Sequence, residues 1–288
     1  GVTIDRSLLN AITHASKAGG RQGVFARAIL VRDAAFVLSI EGQSVAGALE
    51  AALDGASNEA ISLRGVLVHQ SGLSAAVSAA FSRHILCGVL EVESRGRSSR
   101  NAAAKILAPA LAIIRQEPDA DRWGISIEQT AVSLRSGPPE LRESAATVLK
   151  QWPSQIDGGP EEVWRNAIGP LFTRVWPRDR VLCEKQLTIH FAELAIASGD
   201  AFPESLMLLL PYLSRLDGYV SIHTIDKSNI PEKFPRETLI LLWRLFGPGC
   251  TGDFHGVPKI LERMIKADKG IELDRRLQWL DQRALRYD

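Results

Sequence analysis

Apolar residues in this chain recur at helical spacing almost from end to end, and the apolar–polar alternation of a half-buried strand is nearly absent. In PRETLILLWRLF, Leu239, Leu242, Trp243 and Phe246 stand at i, i+3, i+4 and i+7, which lays them along one stripe of a helix. Leu187, Phe191, Leu194 and Ala195 repeat the pattern, and Leu273, Leu277, Leu280 and Ala284 trace a further stripe. The alanine-rich stretches VAGALEAAL, AAVSAAF and NAAAKILAPALAII read as closely packed helices. No Asn-Gly or Asp-Gly pair sits between two alternating runs, so hairpins are not expected. The chain reads as all-α.

Proline marks where the helices begin. SGPPELRES, GGPEEVW, AFPESL and KFPRETL each place a proline just ahead of acidic or helix-forming residues. In the first helical turn its missing N–H costs nothing, and negative charge there complements the helix dipole. The spacing predicts on the order of a dozen to fifteen helices, most about three to five turns long. Phe202-Pro203 recurs as Phe234-Pro235, and a Trp-Pro pair occurs at Trp152-Pro153 and Trp176-Pro177. Recurrence at such distances is what stacked helix–turn–helix units produce. A HEAT-like α-solenoid of antiparallel helix pairs is the expected architecture, since one pair cannot bury its apolar face alone. Composition shifts near RSGPPE, from Ala/Ser/Gly-rich to Trp- and Pro-rich, and divides the stack into halves 1–135 and 136–288.

Charge and cysteine content narrow the classes of function. The 288 residues carry a formal net charge of +1, with 23% charged and 45% hydrophobic residues. These proportions belong to an ordinary globular protein and exert no overall pull toward nucleic acid or an anionic membrane. Cys87, Cys183 and Cys250 are sparse and odd in number, which fits a reducing cytoplasm. No apolar run approaches the roughly 18–20 residues that span a bilayer. The start GVTIDRSLLNAI has neither a leader pattern nor an initiator methionine, and reads as part of a longer polypeptide.

Several stretches hold chemically capable residues. GPGCTGDFHG, residues 247–256, satisfies the GxGxxG pattern of a dinucleotide loop and holds Cys250, Asp253 and His255. The run before it has helical spacing, however, and Gly256 and Pro258 interrupt the helix that should start at the motif. It is read instead as an exposed turn between two helices, with Gly247 as a left-handed helix stop. His84 and Cys87, and likewise His190 and Glu193, stand three apart on apolar stripes, where packing is the plainer role. A lone pair of donors falls short of the three or four ligands a metal needs. No P-loop, GxSxG, HExxH or zinc-finger pattern occurs, so no cofactor or metal is expected.

Two stretches interleave tryptophan with arginine: RVWPRDR, with Trp176, Arg178 and Arg180, and DRRLQWLDQR, with Trp279. Such a mix stacks bases, anchors a protein interface, or packs with the arginine stems lying over the rings. The residues from LFTRVWPRDRVLCEKQLTIHFAELAIASGDAFPESLMLLLPYL to FPRETLILLWRLF resemble the C-terminal helical region of large bacterial multidomain proteins. In those, helical repeats follow a SIR2-like or nucleotidase-type effector or a signalling ATPase, in the setting of anti-phage defence. The resemblance implies a sensor, scaffold or oligomerisation arm, and no catalytic residue carries over with it. The expected function is a non-catalytic, cytoplasmic module that binds a protein partner or other domains of its own chain, without membrane contact. Trp176, Arg178, Arg180 and Trp279 are its candidate contacts. The alternative is a HEAT-like nucleic-acid binder with repair-glycosylase chemistry.

Overall fold

Serine side chains and prolines set where the helices start. In the computed structural model, which describes residues 6–41, 44–70, 72, 74–91, 97–182, 184–216, 223–252 and 254–285, every regular element is a helix. Ser57, Ser74 and Ser126 accept hydrogen bonds from the backbone N–H groups of Ala60, Val77 and Gln129, satisfying donors that have no intrahelical partner. At Ser126 the Gln129 side chain returns the contact and completes a capping box. Pro139, Pro160, Pro203 and Pro235 all lie in first turns, as their spacing predicts. Several helices are shorter than the periodicity suggests, because proline and glycine cut the apolar runs: Pro160–Val163 and Ile230–Lys233 have 4 residues each.

The chain forms two compact units, Gly1–Ala145 with Leu171–Pro177, and Ala146–Pro170 with Arg178–Asp288. The first unit contains α1 (Arg6–Lys17), α2 (Gly20–Arg32), α3 (Ala34–Glu41), α4 (Ser44–Leu53), α5 (Asn58–His69), α6 (Ala75–Leu90), α7 (Arg97–Ile114) and α8 (Ile127–Ser136). The 3-10 turn Ala120–Trp123 joins α7 to α8, and α9 (Pro139–Gln151) carries the chain into the second unit. Helix α5 packs against α2, α4, α6 and α7, and its Ala60, Leu63, Leu67 and Val68 are fully buried. Gly88 on α6 permits this closeness. A Cβ there would lie 2.8 Å from Val68 Cγ1 and 3.2 Å from the Arg64 carbonyl oxygen.

In the second unit, α10 (Pro160–Val163) continues through a π-turn at Trp164–Ile168 into α11 (Gly169–Val175), whose residues from Leu171 on belong to the first unit. The remainder is α12 (Leu187–Ala197), α13 (Phe202–Leu209), α14 (His223–Lys227), α15 (Ile230–Lys233), α16 (Pro235–Phe246), α17 (Val257–Ala267) and α18 (Arg275–Ala284). The two Phe-Pro copies meet: the rings of Phe202 and Phe234 have centroids 5.9 Å apart. Of the three stripes read from sequence, those of α12 and α16 bury their leucines and phenylalanines. The last stripe loses its first member. Asp274 caps α18 by accepting from the Arg276 N–H, which leaves Leu273 outside the helix and 83% exposed.

A recurring device closes the helix C-termini, whose last carbonyls lack intrahelical donors. Arg64 donates to the carbonyls of Leu53 (2.7 Å) and Gly55 (2.9 Å) just beyond α4, and grips both carboxylate oxygens of Glu91 after α6. Arg27 donates to Ala18 and pairs with Glu59. Arg142 donates to Leu134 and Gly137 at the end of α8. In the second unit Arg263 donates to the carbonyls of Asp226 and Ser228 around the end of α14, and pairs with Glu232 on α15. Guanidinium suits this role because it offers several donors in one plane and complements the negative end of the helix dipole.

Replacing Arg64 by methionine leaves the buried Leu53 carbonyl, the Gly55 carbonyl and the partly exposed Glu91 carboxylate without their donor. Arg64→Met is expected to lower the unfolding free energy by about 3 kcal/mol, measured by urea denaturation. Glu91→Gln, which still accepts from Arg64, is expected to cost less.

Candidate functional site

GPGCTGDFHG closes α16 and opens α17. Gly247 is extended, with φ −65°, so the left-handed stop expected there is not formed; the positive φ values belong to Gly249 (+89°) and Gly256 (+82°). Glycine is required at 247 for a different reason. A Cβ would come within 2.5 Å of the Trp243 carbonyl oxygen and 2.9 Å of the Arg215 guanidinium, which lies over the Trp243 ring and donates to the carbonyls of Trp243, Arg244 and Pro248. The turn is also less exposed than its composition suggests. Cys250 is buried, donating from Sγ to the Leu216 carbonyl and accepting from the Gly252 N–H, both at 3.2 Å. Phe254 is buried against Phe246 and Trp279, while His255 is exposed. Asp253 lies outside the described residues. The thiol therefore serves loop closure.

The four candidate contacts differ in exposure. In the first unit Trp176 is 4% exposed and stacks on Phe172 at 5.3 Å. In the second unit Arg178 is exposed, Arg180 lies in a short 3-10 turn, and its side chain is outside the described residues. Trp279 is half-buried in an aromatic cluster, 5.5 Å from Trp243 and 6.4 Å from Phe254. The two histidine pairs separate as well. His84 is buried, and burial with the Arg83 charge pushes its imidazole pKa down; its Nε2 has no hydrogen-bond partner, and Cys87 is exposed. Glu193 is committed to Lys150 at 2.5 Å and to the Thr224 hydroxyl. Among the described residues no three His, Cys, Asp or Glu side chains converge as a metal site would need.

What the structure does assemble is a cavity within the first unit that sequence spacing does not reveal. It has a volume of about 120 Å³ and is walled by the end of α2, the start of α3, the α5–α6 connection, α6, α7 and the 3-10 turn. Ala35, Val77, Ile85 and Trp123 form its apolar surface. Lys105 enters from α7 with only 5% of its surface exposed, and Nζ donates to the Gly72 carbonyl at 2.8 Å. Burial alone pushes its pKa from the ordinary 10.5 to about 8. Gln70 contributes a buried Oε1 with no hydrogen-bond partner. Ser78 donates to the Trp123 carbonyl at 2.6 Å, and Ser74 keeps its hydroxyl hydrogen free to donate while capping α6. Arg32 stands at the mouth, already held by both oxygens of Asp33. NAAAKILAPALAII reads from sequence only as a closely packed helix, and nothing in it singles out Lys105, which packing turns inward.

No known protein family matches the sequence, and no solved structure matches it. The chain is similar to the uncharacterized protein y4cA of Sinorhizobium fredii, at 31% identity over 265 residues. The match takes in 90% of this chain but 22% of that protein, so the chain spans under a quarter of the length of its relative. No described helix is long and apolar enough to cross a membrane.

The lowered Lys105 pKa makes stability depend on pH in a defined window. Between about 8 and 10.5 the unfolded chain binds more protons than the folded one, so stability rises with pH there. The unfolding free energy of the wild type, relative to Lys105→Met, is expected to climb by up to about 1 kcal/mol per pH unit across that window, read from urea titrations at successive pH values.

Proposed function

We propose that this chain is a non-catalytic recognition and scaffold module of a larger bacterial protein, built as a HEAT-like stack of antiparallel helix pairs. The observation that carries the reading is the regular sequence offset of the side-chain links. Arg263 reaches Glu232 across 31 positions, Arg236 reaches Asp268 across 32, and Lys233 reaches Asp200 across 33. The first unit repeats the offset in Arg27 to Glu59 (32), Asn101 to the His69 carbonyl (32) and Lys105 to the Gly72 carbonyl (33). An offset that recurs near 32, beside links at 27 (Arg64 to Glu91) and 43 (Lys150 to Glu193), is what successive helix pairs of roughly similar length produce when each stacks on the one before.

Similarity to a fraction of a much longer bacterial protein supports a modular role, and the resemblance of residues 171–246 to helical arms of defence proteins supports a sensing one. Partner contact falls to exposed groups rather than to Trp176. On α2, Phe25 and Ile29 are 61% and 52% exposed, four positions apart, with the Arg21 guanidinium 5.8 Å over the Phe25 ring. Aromatic and arginine side chains of this kind are the usual anchors of a protein interface. Cytoplasmic placement fits the free thiols of Cys87 and Cys250.

Two measurements test the reading. Native-state hydrogen exchange is expected to show opening free energies that differ between neighbouring helix pairs of one unit, with α17–α18 opening before α12–α13. A single opening energy shared by the whole unit overturns the stack. Anisotropy of a labelled duplex of about 20 bp is expected to show no saturable binding at about 0.1 M salt, whereas binding that weakens steeply with salt would give the function to nucleic acid instead.

A further inference from the structure

The Lys105 cavity presents an electrostatic imbalance. Lys105 is buried, yet burial is the sole cause of its shifted pKa, so no carboxylate compensates its charge. The charged side chains on the cavity wall are Lys105 and Arg32, and Arg32 is neutralised by Asp33. Of three ammonium hydrogens, one is used, on the Gly72 carbonyl. A buried cation without a counter-charge is costly, as is a buried carbonyl oxygen such as Gln70 Oε1 that accepts nothing. The two deficits are complementary: one asks for an anion, the other for a hydrogen-bond donor.

We propose that this cavity is a binding site for a small hydroxy-monocarboxylate, its carboxylate on Lys105 Nζ and its hydroxyl donating to Gln70 Oε1. The volume sets the size. At about 120 Å³ it is slightly smaller than engineered cavities that admit benzene, so a ligand of about six non-hydrogen atoms fits. The uncompensated charge is a single one, which selects a monoanion. Val77, Ile85, Ala35 and Trp123 suit a carbon body better than a fully hydrated phosphate. Ser74, with its hydroxyl hydrogen free, supplies a second donor to the carboxylate. The site is independent of partner recognition, and places a small-molecule signal inside the first unit.

The test uses amide and indole NMR spectra of the 288-residue chain titrated with L-lactate, propionate and inorganic phosphate at fixed ionic strength. Lactate is expected to give saturable shifts at Gln70, Gly72, Lys105 and the Trp123 indole. Propionate, which lacks the hydroxyl, is expected to bind about tenfold more weakly, because Gln70 Oε1 stays unpaired. Lys105→Met is expected to abolish the shifts while remaining folded, since it removes a buried charge. In the wild type, lactate affinity is expected to fall about tenfold per pH unit above 8, where the ammonium is lost. Absence of saturable lactate shifts, or their persistence in Lys105→Met or unchanged through pH 10, overturns the site. Phosphate binding more tightly than lactate overturns the assignment of the ligand to a carboxylate, and propionate equalling lactate removes the role given to Gln70.

Discussion

The structure depends on arginine placed over the carbonyl ends of helices. A chain made of many short helices has an unusual number of C-termini, and each leaves carbonyl oxygens without donors. At several of these ends a guanidinium supplies the donors. Arg64, Arg142, Arg215 and Arg263 all act on carbonyls in or beyond a helix end other than their own. Arg64, Arg142 and Arg263 are carried by α5, α9 and α17, so their contacts also fix one helix against another, while Arg215 acts from the segment after the turn Leu210–Tyr212. Arg64 is the fullest case, holding the end of α4, the body of α5 and the end of α6 in one network. Such a network is strong only when complete, since any unpaired member remains buried.

Lys105 shows the opposite condition. It resembles the arginines in donating to a carbonyl of another segment, but no acid answers it. Ala35, Val77, Ile85 and Trp123 make its apolar surface, and among its polar groups Gln70 Oε1 is itself unanswered. A cavity that concentrates two unmet requirements is where a ligand belongs. The physical logic is that of binding-site polar groups in general, few in number and fixed in place by the fold around them.

Much of the fold was legible along the chain because helices are local. Periodicity named the buried faces of α12 and α16, and prolines named four helix starts. Local rules failed where a distant residue intervened. Gly247 was read as a left-handed stop, but the Trp243 carbonyl and the Arg215 guanidinium occupy the space a Cβ would need, and the turn takes its positive φ at Gly249 and Gly256. Trp176 was read with its arginine neighbours as a surface contact, but stacking on Phe172 buries it. Nothing in NAAAKILAPALAII distinguished Lys105 from a solvated lysine, because its environment is made by the α5–α6 connection and the 3-10 turn, far away in sequence.

By itself, then, the sequence determined the all-helical class and the starts of four helices at proline, since both follow from apolar spacing and from residues within a few positions. It also set the 32-residue echo of Phe202 in Phe234, which becomes a ring contact. Only the tertiary structure decided which polar groups are buried and with whom. Burial and pairing of Arg64 and Lys105 differ because Glu91 comes within reach of one and no acid reaches the other, and proximity between residues dozens of positions apart is not written in local spacing.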